Sequence, residues 1–204
     1  MLKVMVGAGL APPSRRNAGG ASPTPTLSRL SRKSNPTPPP SFPQKRESIF
    51  SVHNVCMSTI IHQRVELARK GEYEKTICRL TSGWAVLGDV QFLRGYSLLL
   101  PDPVVPHLNA LSPIARSQFL SDMALLGQAV LNVTGALRIN YEILGNQDPA
   151  LHAHVFPRFD NEPAELKTRP VWFYDWKAGP GFDLGRDGEL MERIASEIRK
   201  LVAN

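Results

Sequence analysis

Residues Gly145 to Phe159 read GNQDPALHAHVFPRF and hold two of the chain's five histidines, spaced His152-x-His154. Leu151, Ala153 and Val155 fill the alternate places. Period-two alternation is the mark of a strand, so the two imidazoles share one face and the three apolar side chains face a core. Pro149 and Pro157 flank the run, where prolines suit strand ends better than strand centres. Two residues along a strand place the rings about 6–7 Å apart.

Three readings of that face are open on pattern alone. The first is a half-exposed strand that happens to carry histidines. The second is a metal site, since His-x-His offers two neutral nitrogens. Cys78, His107 and Asp160 are candidate further ligands, although no pair among them has ligand-like spacing. The third is catalysis, with one imidazole as nucleophile or base and the other binding the substrate's charge. Imidazole is partly neutral at pH 7 and can attack phosphorus without prior activation.

His152-Ala153-His154-Val155-Phe156-Pro157-Arg158 resembles the signature of the histidine triad (HIT) superfamily of nucleotide hydrolases and transferases. That signature is His-φ-His-φ-His-φ-φ, often followed by Pro-Arg. Pro157-Arg158 sets the register, so His152 matches the middle, nucleophilic histidine and His154 the third. Ala150 stands where the family has its first histidine. The family's backbone carbonyl at that place orients the nucleophile's other nitrogen, a function that alanine retains. The resemblance spans roughly residues 58 to 176. It implies a diadenosine polyphosphate hydrolase-like member with a nucleotide substrate, a homodimer and no required cofactor or metal.

The same resemblance suggests further residues. Asp89, after the second strand, falls where the family bonds the ribose hydroxyls. Asn140 falls where family members carry an asparagine close to the phosphates. If its strand pairs with the histidine strand, Asn140 is expected beside His152 or His154. Asn146 and Gln147 stand five or six places before the nucleophile, where a polar residue contacts the phosphate or bridging atom. Turn chemistry alone also accounts for both. His107 precedes the long helix, as in many family members, and is expected to pack.

Composition divides the chain near residue 57. Residues 1–56 hold eight of the 24 Lys and Arg and one of the 18 acids, or +7, leaving 16 basic and 17 acidic residues for the rest. The excess positive charge thus belongs to the leader, and the near-neutral remainder argues against a nucleic-acid partner. The leader is rich in Pro, Ser, Arg and Gly and is expected to be disordered. Ser41 to Ser48 (SFPQKRES) resembles peptides translated from bacterial intergenic repeats, and Met57 opens a plausible globular sequence. The expectation is a start codon placed too early. Two cysteines, Cys56 and Cys78, suggest no disulfide framework; a reducing compartment is the default, and a cytoplasmic setting is expected. No apolar run is long enough to cross a membrane.

Periodicity gives the remaining elements. Ser58–Lys70 reads as a capped helix ended by Gly71. Thr76–Leu80 and Trp84–Leu87 read as a hairpin, and Tyr96–Leu100 as an apolar strand. Ser112–Leu137 reads as a long helix with Leu120, Met123, Leu126, Ala129, Val130 and Val133 on one stripe. Arg138–Leu144 reads as a strand, with Arg138, Asn140 and Glu142 on one face. Pro170–Trp176 (PVWFYDW) is an aromatic cluster expected in the core or at a dimer surface rather than as a base-stacking platform. Asp187–Val202 reads as a closing helix, packed on its own sheet or on a second subunit. The fold class is α+β, an HIT-like fold. It has about five mostly antiparallel strands, one long helix and flanking terminal helices within a domain over 57–204.

Overall fold

A computed structural model describes residues 58–203. The expected disorder of residues 1–56 and the start near Met57 lie outside the described residues.

Helix α1 (Ile60–Lys70) begins at a capping box. Thr59 Oγ1 accepts the His62 N–H at 3.4 Å, and the Thr59 N–H donates back to His62 Nδ1 at 3.4 Å. His62 therefore serves a helix end. Strands β1 (Thr76–Arg79), β2 (Gly83–Leu87), β3 (Ser97–Pro101), β4 (Arg138–Glu142) and β5 (Ala153–Arg158) form one sheet, ordered β1-β2-β3-β5-β4. Every pairing between them is antiparallel, so the expected α+β class with a five-stranded antiparallel sheet is what the chain adopts.

Helix α2 (Pro113–Thr134) starts where Ser112 caps it, its hydroxyl accepting the Ala115 N–H at 3.3 Å, with Pro113 in the first turn. It stops three residues short of Leu137. Gly135 takes the left-handed conformation (φ 68°) and returns its N–H to Leu131 O, a termination that glycine reaches without a Cβ penalty. Leu120 is 37% exposed, not core. The buried stripe is Phe119, Asp122, Leu126, Ala129 and Val130, about 100° round the helix from Leu120. Asp122 is buried because its carboxylate accepts both the N–H and the hydroxyl of Ser82, each at 2.7 Å, which ties α2 to the β1–β2 turn.

The sheet is covered on both faces. Ala85, Leu87, Leu99, Ala153 and Val155 pack under α2 and, after the short helix α3 (Ala164–Lys167) in chain order, under helix α4 (Leu184–Ala203), which presents Leu190, Ile194 and Ile198. The closing helix thus lies on its own sheet. On the other face, Val86, Leu98, Leu100 and Phe156 meet Ile61 and Val65 of α1 and Val171 of the segment before α4. Fully burying each such side chain contributes about 1.5–3 kcal/mol. Strand β5 lies between β3 and β4 and is buried at all six positions. His107 is exposed before a short 3-10 turn (Leu108–Ala110), and does not pack as expected. Among the described residues no helix is long and apolar enough to cross a membrane.

Candidate active site

Counting by twos from Ala153 and Val155 puts His152, His154 and Phe156 on the α1 side of the sheet. The face is not half-exposed. His152 and His154 keep 8% and 9% of their surface. Their rings meet edge to face, with centroids 4.9 Å apart at 73°. Both line a cavity of about 750 Å³, a size suited to a nucleotide.

The two rings have different anchors. His152 Nδ1 lies 2.8 Å from Ala150 O. A carbonyl only accepts, so Nδ1 carries the proton and Nε2 keeps its lone pair. The main chain at Ala150 supplies this contact, as the sequence resemblance implied. His154 Nδ1 lies 2.7 Å from the Tyr96 hydroxyl. Burial, then His152 and Arg64, push His154 down to about 4, so it is uncharged at neutral pH.

That shift links stability to pH. The unfolded chain titrates His154 at its ordinary 6.5 and the folded chain at about 4, so the unfolded state binds more protons between the two values. The stability at stake is intact above pH 6.5 and is lost as pH falls toward 4, by roughly 3 kcal/mol. Asp89, Asp102, Glu162 and Asp187, all held below ordinary values of 3.8 or 4.5, lose their contributions only at lower pH. Urea unfolding between pH 7 and 4.5 should therefore show a steep decline in the wild type and a flatter one in His154→Gln.

Asn146, Gln147 and Asp148 form one wall of the cavity. Asp148 moors this loop to the start of α1, accepting the Ile61 N–H at 3.4 Å. Trp172 and Trp176 form another wall, their rings stacked with centroids 5.2 Å apart at 12°. Trp172 is 46% exposed and stands edge-on to His154. The aromatic cluster packs in part on the core, as expected, through Val171, Tyr174 and Trp176. Val171 is fully buried, and both tryptophans also line the cavity.

Two expected members lie elsewhere. Asn140 pairs with Phe156 and faces a neighbouring hollow of about 630 Å³. The β4–β5 register puts Glu142, not Asn140, opposite His154. Asp89 does not line the cavity; it bridges Arg64 at 2.5 Å and Lys75 at 2.6 Å. Burial alone would raise its carboxyl, but those two cations outweigh burial and hold it low. Arg64 lies near enough to His154 to disfavour protonation there, so this ion cluster borders the histidine pair. Cys78, His107 and Asp160 are likewise not among the lining residues. Tyr96, Trp172 and Trp176 are the site residues that sequence reading missed.

No family model matches the chain, and no curated protein does. Solved structures do match. The chain is similar to a histidine triad (HIT) protein from Sinorhizobium meliloti, at 22% identity and TM-score 0.53, over 65% of this chain and 93% of that one. It is similar to a histidine triad protein from Marinobacter aquaeolei, at 17% identity and TM-score 0.54, over 62% of this chain and 89% of that one. A hypothetical histidine triad nucleotide-binding protein from Sulfolobus tokodaii matches at 13% identity and TM-score 0.55, over 68% and 93% of the two chains. Likeness at such identities speaks for the fold alone, and the fold of this chain is that of the histidine triad proteins.

Proposed function

We propose that this chain is a nucleotide phosphohydrolase that works through a nucleotidyl-histidine intermediate. The observation that carries the reading is the 2.8 Å contact of His152 Nδ1 with Ala150 O, which leaves Nε2 as a lone pair on a ring that lines the cavity. In this reading Nε2 attacks the α-phosphorus. A P–N bond forms as the bond from phosphorus to the leaving group breaks. Positive charge arrives on the ring, and the Nδ1–H to carbonyl hydrogen bond strengthens to meet it. Water then attacks phosphorus, the P–N bond breaks and one water proton leaves to solvent. A nucleoside monophosphate is released and the ring returns to its starting state. His154 and the amides of Asn146 and Gln147 meet charge on the phosphate oxygens.

The substrate class is dinucleoside polyphosphates, such as diadenosine tetraphosphate, or nucleoside phosphoramidates. A transferase would share the intermediate and pass the nucleotide to phosphate instead of water. Products formed with and without added phosphate separate the two. A hydrolase yields the monophosphate in both, whereas a transferase yields the diphosphate when phosphate is present. No turnover of either substrate class would contradict both readings and leave a nucleotide-binding protein. A homodimer belongs to the same proposal, and sedimentation tests it.

Among the described residues no lysine or arginine lines the cavity, and Asp148 adds an acid to its wall. Among the described residues the cavity wall therefore offers dipoles to each phosphate beyond the one attacked, and the bordering Arg64 and Lys75 are already bridged to Asp89. A polyphosphate should turn over faster with a divalent ion carried on it, while the attack itself requires no metal. Magnesium should accelerate tetraphosphate turnover roughly tenfold or more and leave phosphoramidate turnover nearly unchanged. Initial rates with and without chelator check this.

A further inference from the structure

The contact between Tyr96 and His154 has a direction, and the surrounding atoms set it. Tyr96 is 4% exposed, and its hydroxyl makes one hydrogen bond among the described residues, to His154 Nδ1 at 2.7 Å. A buried hydroxyl proton needs an acceptor. If Nδ1 carried the ring proton and donated to the tyrosine, the hydroxyl proton would have no protein acceptor among the described residues. If the hydroxyl donates to Nδ1, both groups are satisfied and the ring proton moves to Nε2. Burial pushes the Tyr96 hydroxyl far above its ordinary range, so it stays protonated.

The tyrosine is held in place from several sides. Its ring stacks on Phe156 with centroids 4.3 Å apart at 13°, and runs nearly parallel to His154 at 5.9 Å and 15°. Its carbonyl accepts from the Gly88 N–H at 2.8 Å and from Gln91 Nε2 at 3.0 Å. Gly88 lies so close that a Cβ there would come within 2.3 Å of Tyr96 Cδ1. The absence of a side chain at residue 88 is what lets the ring lie where it does.

We propose that Tyr96 is a positioning residue that fixes His154 as the Nε2–H tautomer, opposite to the tautomer that Ala150 O imposes on His152. Two neighbouring imidazoles thereby present unlike nitrogens. His152 offers a lone pair on Nε2, and His154 offers an N–H on Nε2. A nucleophile and a neutral hydrogen-bond donor to a phosphate oxygen result from one residue type, with no proton exchanged between the rings. The tautomers themselves follow from the geometry, whereas their use in catalysis rests on the function proposed above.

The test is long-range proton–nitrogen NMR of the full chain labelled with nitrogen-15 at histidine, at neutral pH. Signals are assigned by their loss in His152→Gln and His154→Gln. The expected spectrum has His154 with an unprotonated Nδ1 and a protonated Nε2, and His152 the reverse. In Tyr96→Phe the two His154 nitrogens should move toward intermediate values as both tautomers become populated, while His152 is unchanged. Diadenosine polyphosphate turnover in Tyr96→Phe should fall through kcat, by roughly 10- to 100-fold, with KM shifted less than about threefold. A wild-type His154 protonated on Nδ1 would overturn the proposal, as would a His154 tautomer unchanged in Tyr96→Phe. The wild-type spectrum reads the tautomers whether or not the variant folds. Expected tautomers without turnover would sink the proposed function and leave the Tyr96 assignment standing. Turnover with the reverse tautomer would do the opposite.

Discussion

His152→Ala is expected to lower kcat/KM for a dinucleoside polyphosphate by roughly 10⁴-fold or more while nucleotide affinity stays within a few-fold. The reason is geometric. His152 lines the cavity and has its Nδ1 committed to Ala150 O, so its Nε2 is the nitrogen with an available lone pair. His154, by the Tyr96 contact, has its Nδ1 engaged and cannot replace it from the same place. Truncation removes the attacking atom and leaves the tryptophan wall and the amide loop, so binding survives. Steady-state rates and calorimetric titration with a slowly hydrolysed analogue read the two effects separately. Equal losses of binding and rate would mean that the ring supports the substrate rather than attacking it.

Glu162→Ala is expected to cost about 3–5 kcal/mol, because it strands a buried guanidinium. Arg158 and Glu162 keep only 8% and 4% of their side-chain surface. Arg158 Nε meets the two carboxylate oxygens at 3.1 and 3.0 Å, and its Nη2 meets one of them at 2.7 Å. The same guanidinium donates to the carbonyls of Leu166, Lys167 and Arg169. Burial alone would raise the Glu162 carboxyl. Donation from Arg158, Tyr174 and the Phe159 N–H outweighs burial and keeps it ionised. The pair pins the segment that follows β5, and that segment carries Trp172 and Trp176 into the cavity wall. Thermal unfolding should drop by about 10 °C, given the size of the described part. KM should rise in the surviving folded protein as the tryptophan wall loosens. Glu162→Gln, which keeps acceptor and shape, should lose less.

What was legible in the sequence follows period and punctuation. Alternation along His152 to Val155 gave the shared face, Ser112-Pro113 gave the start of α2, and the apolar runs gave the strands. What was not legible depends on register between strands far apart in the chain. Asn140 and Glu142 sit on the same face, and only the pairing of Arg138 with Arg158 decides which of them meets His154. Tyr96 was hidden for a similar reason. It precedes β3 by one residue, and Leu98, two residues on, pairs with His154. Counting back by two from that pairing would have placed Tyr96 on the histidine face. Asp89 has a sequence position that suits a ribose contact, but Arg64, 25 residues earlier, and Lys75 already hold its carboxylate. Trp172 and Trp176 look like core by composition; Trp176 does pack on it, and both also line a cavity, which composition does not show.

The most direct test is intact-mass and peptide mass spectrometry of the protein mixed with a diadenosine polyphosphate and quenched within milliseconds. The predicted result is an adenylyl adduct on His152 that disappears as the substrate is consumed and never forms in His152→Ala. Substrate turnover with no adduct on His152, or an adduct on any other residue, would contradict the account.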